Sequence, residues 1–132
     1  MLKFQSMLCL AMLAASAAGA QEIDCDTAQV QLELTFCAER DWKIADADLN
    51  AAYKAAQKLM ASIDAELPKA EQGAASSLRD AQRAWVTFRD AACNAEGFTW
   101  HGGSGEPMIV YGCRAMLTRE RAAGLWTLVQ SE

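Results

Sequence analysis

The chain has a single histidine, two prolines and no pair of cysteines at C-x-x-C spacing. Zinc sites and thioredoxin-type redox centres are built from clustered thiols and imidazoles, so neither chemistry finds support, and no metal or cofactor is expected. Positive charge is also scarce, with 12 Lys and Arg against 17 Asp and Glu and a net charge of −5. A surface of that sign is a poor partner for nucleic acid and would favour encounter with a basic protein. Period-two alternation of apolar and polar residues is nowhere sustained, which argues against a sheet. The uncharged run Met7 to Ala20 is shorter than the ~18 to 20 residues that cross a bilayer, so no membrane span is expected.

That run instead has the parts of an export signal. Lys3 supplies the positive start, Met7 to Ala15 the apolar stretch, and Ala18-Gly19-Ala20 a small-residue cleavage site before Gln21. Residues 1–20 therefore read as a signal peptide, and 21–132 as one exported domain, periplasmic or secreted. Cys9 follows too little apolar sequence to read as a lipoprotein cysteine. Loss of Lys3 with the signal leaves eleven basic residues against seventeen acidic ones, or −6. The remaining length suits one small core rather than two.

Cys25, Cys37, Cys93 and Cys113 survive cleavage, an even number that in an oxidising compartment points to disulfides. Four thiols allow three connectivities, of which neighbour pairing, Cys25 with Cys37 and Cys93 with Cys113, is the simplest. Each such loop closure would contribute roughly 3 kcal/mol.

Helical periodicity dominates the rest. Ala38, Trp42, Ala45, Leu49, Tyr53, Ala56, Met60, Ile63 and Leu67 follow steps of three and four, predicting one long helix that starts between Val30 and Thr35 and ends near Pro68. Gly73 and the Ser76-Ser77 pair offer a turn and an N-cap. A second helix carries Leu78, Ala81, Trp85, Phe88 and Ala92 and ends near Gly97. Five of the eight glycines lie between Gly97 and Gly112, marking the main loop, where Gly102 and Gly103 suit positive φ. Pro107 fits the first turn of a third helix that runs through Leu128. The expected fold is all-α, an antiparallel helical hairpin with a third packed helix and two disulfides.

Two groups of residues invite a functional reading. Asp46, Asn50 and Tyr53 share one face of the first helix, and Gln82, Arg89 and Asp90 are their polar counterparts on the second, with Arg121 on the third. An interhelical network in which Asp46 or Asp90 pairs with Arg89 or Arg121 is favoured over a ligand site, since buried charge demands a partner. Asp46 is the first choice for Arg89. The second group is the loop Phe98 to Glu106, with Trp100 as an apolar anchor and His101, Gly103 and Ser104 as polar contacts. His101 and Ser104 do not amount to a hydrolase, because no G-x-S-x-G elbow or oxyanion hole accompanies them, and no enzymatic activity is expected.

The segments Asp46-Ala47-Asp48-Leu49-Asn50-Ala51-Ala52-Tyr53, Leu78-Arg79-Asp80-Ala81-Gln82-Arg83-Ala84-Trp85-Val86-Thr87-Phe88-Arg89-Asp90-Ala91-Ala92-Cys93, Gly102-Gly103-Ser104 and Cys113-Arg114-Ala115-Met116-Leu117-Thr118-Arg119-Glu120-Arg121 resemble the LprI-type lysozyme-inhibitor family. The pattern is D-x-x-L-N-x-x-Y, L-x-x-A-Q-x-x-W-x-x-F-R-D-x-x-C, a G-S loop and C-x-x-x-x-T-x-x-R, covering Cys25 to about Leu128. The resemblance implies a small exported helical domain that binds and blocks a lysozyme. The alternative is a non-catalytic envelope binding or scaffold module for another protein or a small ligand. No inhibitory residue is carried over from the family, so the loop residues Trp100, His101, Gly103 and Ser104 stand as the expected partner contact on the sequence alone.

Overall fold

The computed structural model describes residues 22–131, so the expected signal peptide at 1–20 lies outside the described residues. Three α-helices account for nearly all of it: α1 (Gln31–Glu66), α2 (Ala74–Gly97) and α3 (Glu106–Gln130), with a 3-10 turn at Phe98–Trp100. Among the described residues there is no strand. α1 alone runs 36 residues, about 54 Å at 1.5 Å per residue.

Contacts at matched heights give the directions. Gln31 meets Met108, Trp42 stacks on Tyr111 and Trp126 bonds to Asp48, so numbers rise together on α1 and α3 and these helices are parallel. Arg89 faces Asp46 and Asp64 faces Gly73, which makes α2 antiparallel to α1. The third helix thus lies along α1 for most of its own length. Small residues are buried on both, Ala45, Ala52 and Ala56 on α1 and Ala115 and Ala122 on α3, and Ala52, Ala56 and Ala122 share one core cluster with Leu49 and Leu125. Leu78 closes the core from α2, and Tyr53, Met60, Trp85, Trp126 and Val129 pack around it.

Both bridges join the expected neighbours, Cys25 to Cys37 and Cys93 to Cys113. The first requires residues 25–30 to fold back beside α1, and Asp24 makes that bend: its carboxylate accepts from the Asp26 amide at 3.0 Å and the Thr27 hydroxyl at 3.0 Å. The second ties the last turns of α2 to the second turn of α3. There the helices approach closely, for a Cβ added at Gly97 would stand 2.6 Å from a methyl of Val110.

The start of α2 differs from expectation. Ser76 and Ser77 lie inside the helix, and Gly73 occupies the cap position. Capping comes from across the turn: the Asp64 carboxylate, in the last turn of α1, accepts from the amides of Gly73, Ala74 and Ala75 at 2.8, 2.9 and 3.0 Å. A carboxylate that takes three N–H donors at a helix N-terminus satisfies most of the free donors there and complements the helix dipole. Those bonds, the one to Ala75 foremost, hold the Asp64 pKa below its ordinary value. α1 itself ends at Leu67, whose extended backbone is what Pro68 demands of the residue before it.

Candidate functional site

The expected polar face separates into two clusters. Arg89 is the centre of the first and is only 7% exposed. Its Nε and Nη2 each lie 3.0 Å from Asp90 Oδ1, and its Nη1 lies 3.6 Å from Asp46 Oδ1. Asp90 is therefore the closer partner and Asp46, expected first, the looser one. Asn50 donates to Asp46 at 3.1 Å and so belongs to the same cluster. The indoles of Trp42 and Trp85 stand 5.5 and 5.2 Å from the Arg89 guanidinium. Flat apolar walls on a cation exclude water and strengthen its pairing with the two carboxylates.

Arg114, which periodicity did not single out, adds a second cation. It lies 5.0 Å from the Trp42 ring and 3.5 Å from Asp90. Two guanidiniums and two carboxylates, with Trp42 between the cations, make a near-neutral knot where all three helices meet. Both carboxylates remain half exposed, while the cations are turned inward. Asp46 and Asp90 both pair with Arg89, the interhelical pairing that the network reading expected.

The second cluster holds the remaining residues of that face. Arg121 Nε donates to Gln82 Oε1 at 3.0 Å, so Arg121 is partnered by an amide rather than by a carboxylate. Tyr53 packs on the core beside them and lines a groove with Gln82. Asp46, Asn50, Arg89 and Asp90 thus come together in one place, and Tyr53, Gln82 and Arg121 in another.

The loop between α2 and α3 is more ordered than its glycines suggest. After the 3-10 turn, Gly103 N donates to Trp100 O at 2.9 Å and Glu106 N to Gly103 O at 3.2 Å. Gly102 adopts φ +76°, which a side chain disfavours, whereas Gly103 does not take the positive φ expected of it. Glu106, in the first turn of α3, reaches back to accept from Gly102 N at 2.8 Å and sits 3.4 Å from His101 Nδ1. The Gly102 bond, with a smaller part from His101, lowers the Glu106 pKa. His101 also stacks on Phe98, ring centroids 4.7 Å apart.

These bonds leave the two large rings outside. Phe98 is 65% exposed and Trp100 53%. The inner edge of Trp100 rests on Gly105, where an added Cβ would stand 2.8 Å from its ring. Ser104 faces a neighbouring apolar groove of about 430 Å³, lined with Gln31, Leu32, Thr35 and Pro107 from the start of α1 and α3. Leu32 is largely exposed there as well. Of the expected contact residues, Ser104 lines this groove, Gly103 lines another with Glu106, Tyr111 and Arg114, and Trp100 and His101 are exposed beside them in the loop. Glu106 could have been noticed as an acid directly before Pro107, the position from which a first-turn carboxylate can reach back to a preceding loop.

Two bridges, three helices, a charge knot and a braced loop define a disulfide-stapled helical module that presents Phe98 and Trp100 at one end. The chain belongs to the LprI family: the family model described as "Lysozyme inhibitor LprI" matches residues 24–125. It is 45% identical over 113 residues to an uncharacterised protein of Rhizobium meliloti (strain 1021), spanning 83% of this chain and 81% of that protein. It is also similar to the crystal structure of a DUF1311 family protein from Pseudomonas putida KT2440, with a TM-score of 0.65 and 25% identity, over 76% of this chain and 94% of that one. No helix among the described residues is long and apolar enough to cross a membrane.

Proposed function

We propose that the protein is exported, has no catalytic role, and binds a lysozyme so as to block its cleft. The observation that carries this reading is the family match together with a loop that is held at both ends and along its length yet presents Phe98 and Trp100 to solvent. A loop that is already ordered loses little entropy on binding. Half-exposed aromatic rings are the residues that most often anchor such contacts. The surplus of acid over base favours encounter with basic lysozymes at low salt.

The test is lysis of a cell-wall suspension by a panel of lysozymes, with increasing amounts of the purified, disulfide-bonded protein. Inhibition that saturates, weakens with salt and is lost in Trp100→Ala supports the reading. Absence of inhibition across the panel overturns it and leaves the binding or scaffold module. Export is tested separately, by fractionating cells that express the full-length chain and sequencing the N-terminus of the product; Gln21 is the expected first residue.

A further inference from the structure

A groove of about 550 Å³ runs along one flank of α2 beside Tyr53 of α1 and is lined by Tyr53, Arg79, Gln82, Arg83, Val86 and Thr87, none of them a member of the Arg89 knot. Its chemistry is one-sided. No carboxylate lines it, although the chain as a whole carries −5. Arg79 and Arg83 stand one turn apart on α2, and neither has an acidic side chain within ion-pair distance among the described residues. Like charges at that spacing destabilise a helix slightly, a cost that an anion between them would remove.

Gln82 adds to the asymmetry. Its Oε1 accepts from Arg121 Nε, and a guanidinium can only donate, so the amide orientation is fixed and the Gln82 NH₂ is the group left to bond elsewhere. Thr87 donates its hydroxyl proton to the Arg83 carbonyl, so in the groove its oxygen remains only as an acceptor. The donors available to a ligand are then two guanidiniums, one amide NH₂ and the Tyr53 hydroxyl, against the single Thr87 oxygen as a side-chain acceptor. Between them lies apolar surface, with Val86 37% exposed and the Tyr53 ring beside it.

We propose that this groove binds a small organic anion, a carboxylate joined to an apolar arm, with Arg79 and Arg83 on the carboxylate, the Gln82 NH₂ as a further donor and the arm against Val86 and Tyr53. The site lies on the helices rather than on the loop and is independent of lysozyme binding. Arg121 is a positioning residue, since it acts by orienting Gln82.

The experiment follows amide shifts of the ¹⁵N-labelled, disulfide-bonded protein on titration with 4-phenylbutyrate and, in parallel, with uncharged 4-phenylbutyramide. Saturable shifts confined to residues around Tyr53, Arg79, Gln82, Arg83 and Val86 are expected for the acid, with the amide at least about tenfold weaker. Arg79→Gln with Arg83→Gln removes the binding while the spectrum elsewhere is retained. Trp100→Ala leaves it unchanged. Equal binding of acid and amide, shifts centred on Phe98 and Trp100, or no saturation for the acid would each overturn the proposal. Inorganic phosphate is titrated as well: if it shifts the same residues as strongly as the acid does, the apolar arm has no part and the assignment to an organic carboxylate fails.

Discussion

At one end of the bundle the chain turns from α1 into α2 with Asp64 reaching across to three amides. At the other it turns from α2 into α3 inside a loop closed by Cys93–Cys113, with Cys25–Cys37 fastened nearby. Both turns must hold antiparallel helices together, and they use different means. The first spends a side chain on the task and shows little else to solvent beyond polar groups. The second is closed covalently and by backbone bonds, and its two largest side chains, Phe98 and Trp100, stand largely in solvent, 65% and 53% exposed.

The largest effect should come from opening the bridged end. Cys93→Ala with Cys113→Ala should lower stability by about 3 kcal/mol, by the loop-closure argument, and both sulfurs lie in the core. Chemical denaturation under oxidising conditions measures it. An unchanged midpoint would mean that Gly97 against Val110 and the bonds of Glu106 hold this end unaided.

Next is the knot midway between the ends. Arg89→Ala leaves two carboxylates without their main cation and should cost about 2 to 3 kcal/mol, less than a fully buried pair because Asp46 and Asp90 are half exposed. Arg89→Lys should recover only part of this, because an ammonium cannot place Nε and Nη2 on one oxygen while stacking between two indoles.

Asp64→Asn should lower the melting temperature by a smaller amount and, more tellingly, remove a pH dependence. The folded pKa is depressed below 3.8, so its contribution is complete above that value and is lost as pH falls through the lower folded pKa. Melting curves taken from neutral pH down into the acid range should converge for the two proteins at the acid end. Curves that stay parallel would show that the cap is not the titrating group.

The smallest effect on stability, and the sharpest on recognition, belongs to Gly105→Ala. The added methyl displaces the Trp100 ring, which is already half in solvent, so stability should shift by no more than about 0.5 kcal/mol. Inhibition should fall to the extent expected for Trp100→Ala. A variant that inhibits normally would show that the ring position is immaterial, and the contrast between the two ends would lose its functional half.

Much of this was legible in the sequence, for identifiable reasons. The apolar stripe from Ala38 to Leu67 and the helix signals at Gly97 and Pro107 are local, and the helices follow them. Neighbour pairing of the cysteines also held, because both pairs close across a single reversal of the chain. What periodicity could not supply was contact across turns. Ser76 and Ser77 look like the cap of α2, and periodicity does not single out Asp64, since nothing local says that it reaches Ala75. Arg114 was hidden within the third helix for the same reason: only the fold brings it to Trp42. Among the site candidates, helical spacing put Asp46, Asn50 and Tyr53 on one face and Gln82, Arg89 and Asp90 opposite them, but the division into an Arg89 cluster and a separate Gln82–Arg121 pair depends on how the helices are packed.

The Asp64 cap also sets an order of events in time. The carboxylate belongs to the last turn of α1 and the amides to the first turn of α2, so neither turn completes its bonding until the other has formed. Opening one should release the other, and the hairpin tip becomes a single cooperative unit rather than two fraying helix ends. In native-state hydrogen exchange the amides of Gly73, Ala74 and Ala75 should therefore exchange in step with those of the last turn of α1, and in Asp64→Asn the two sets should come apart.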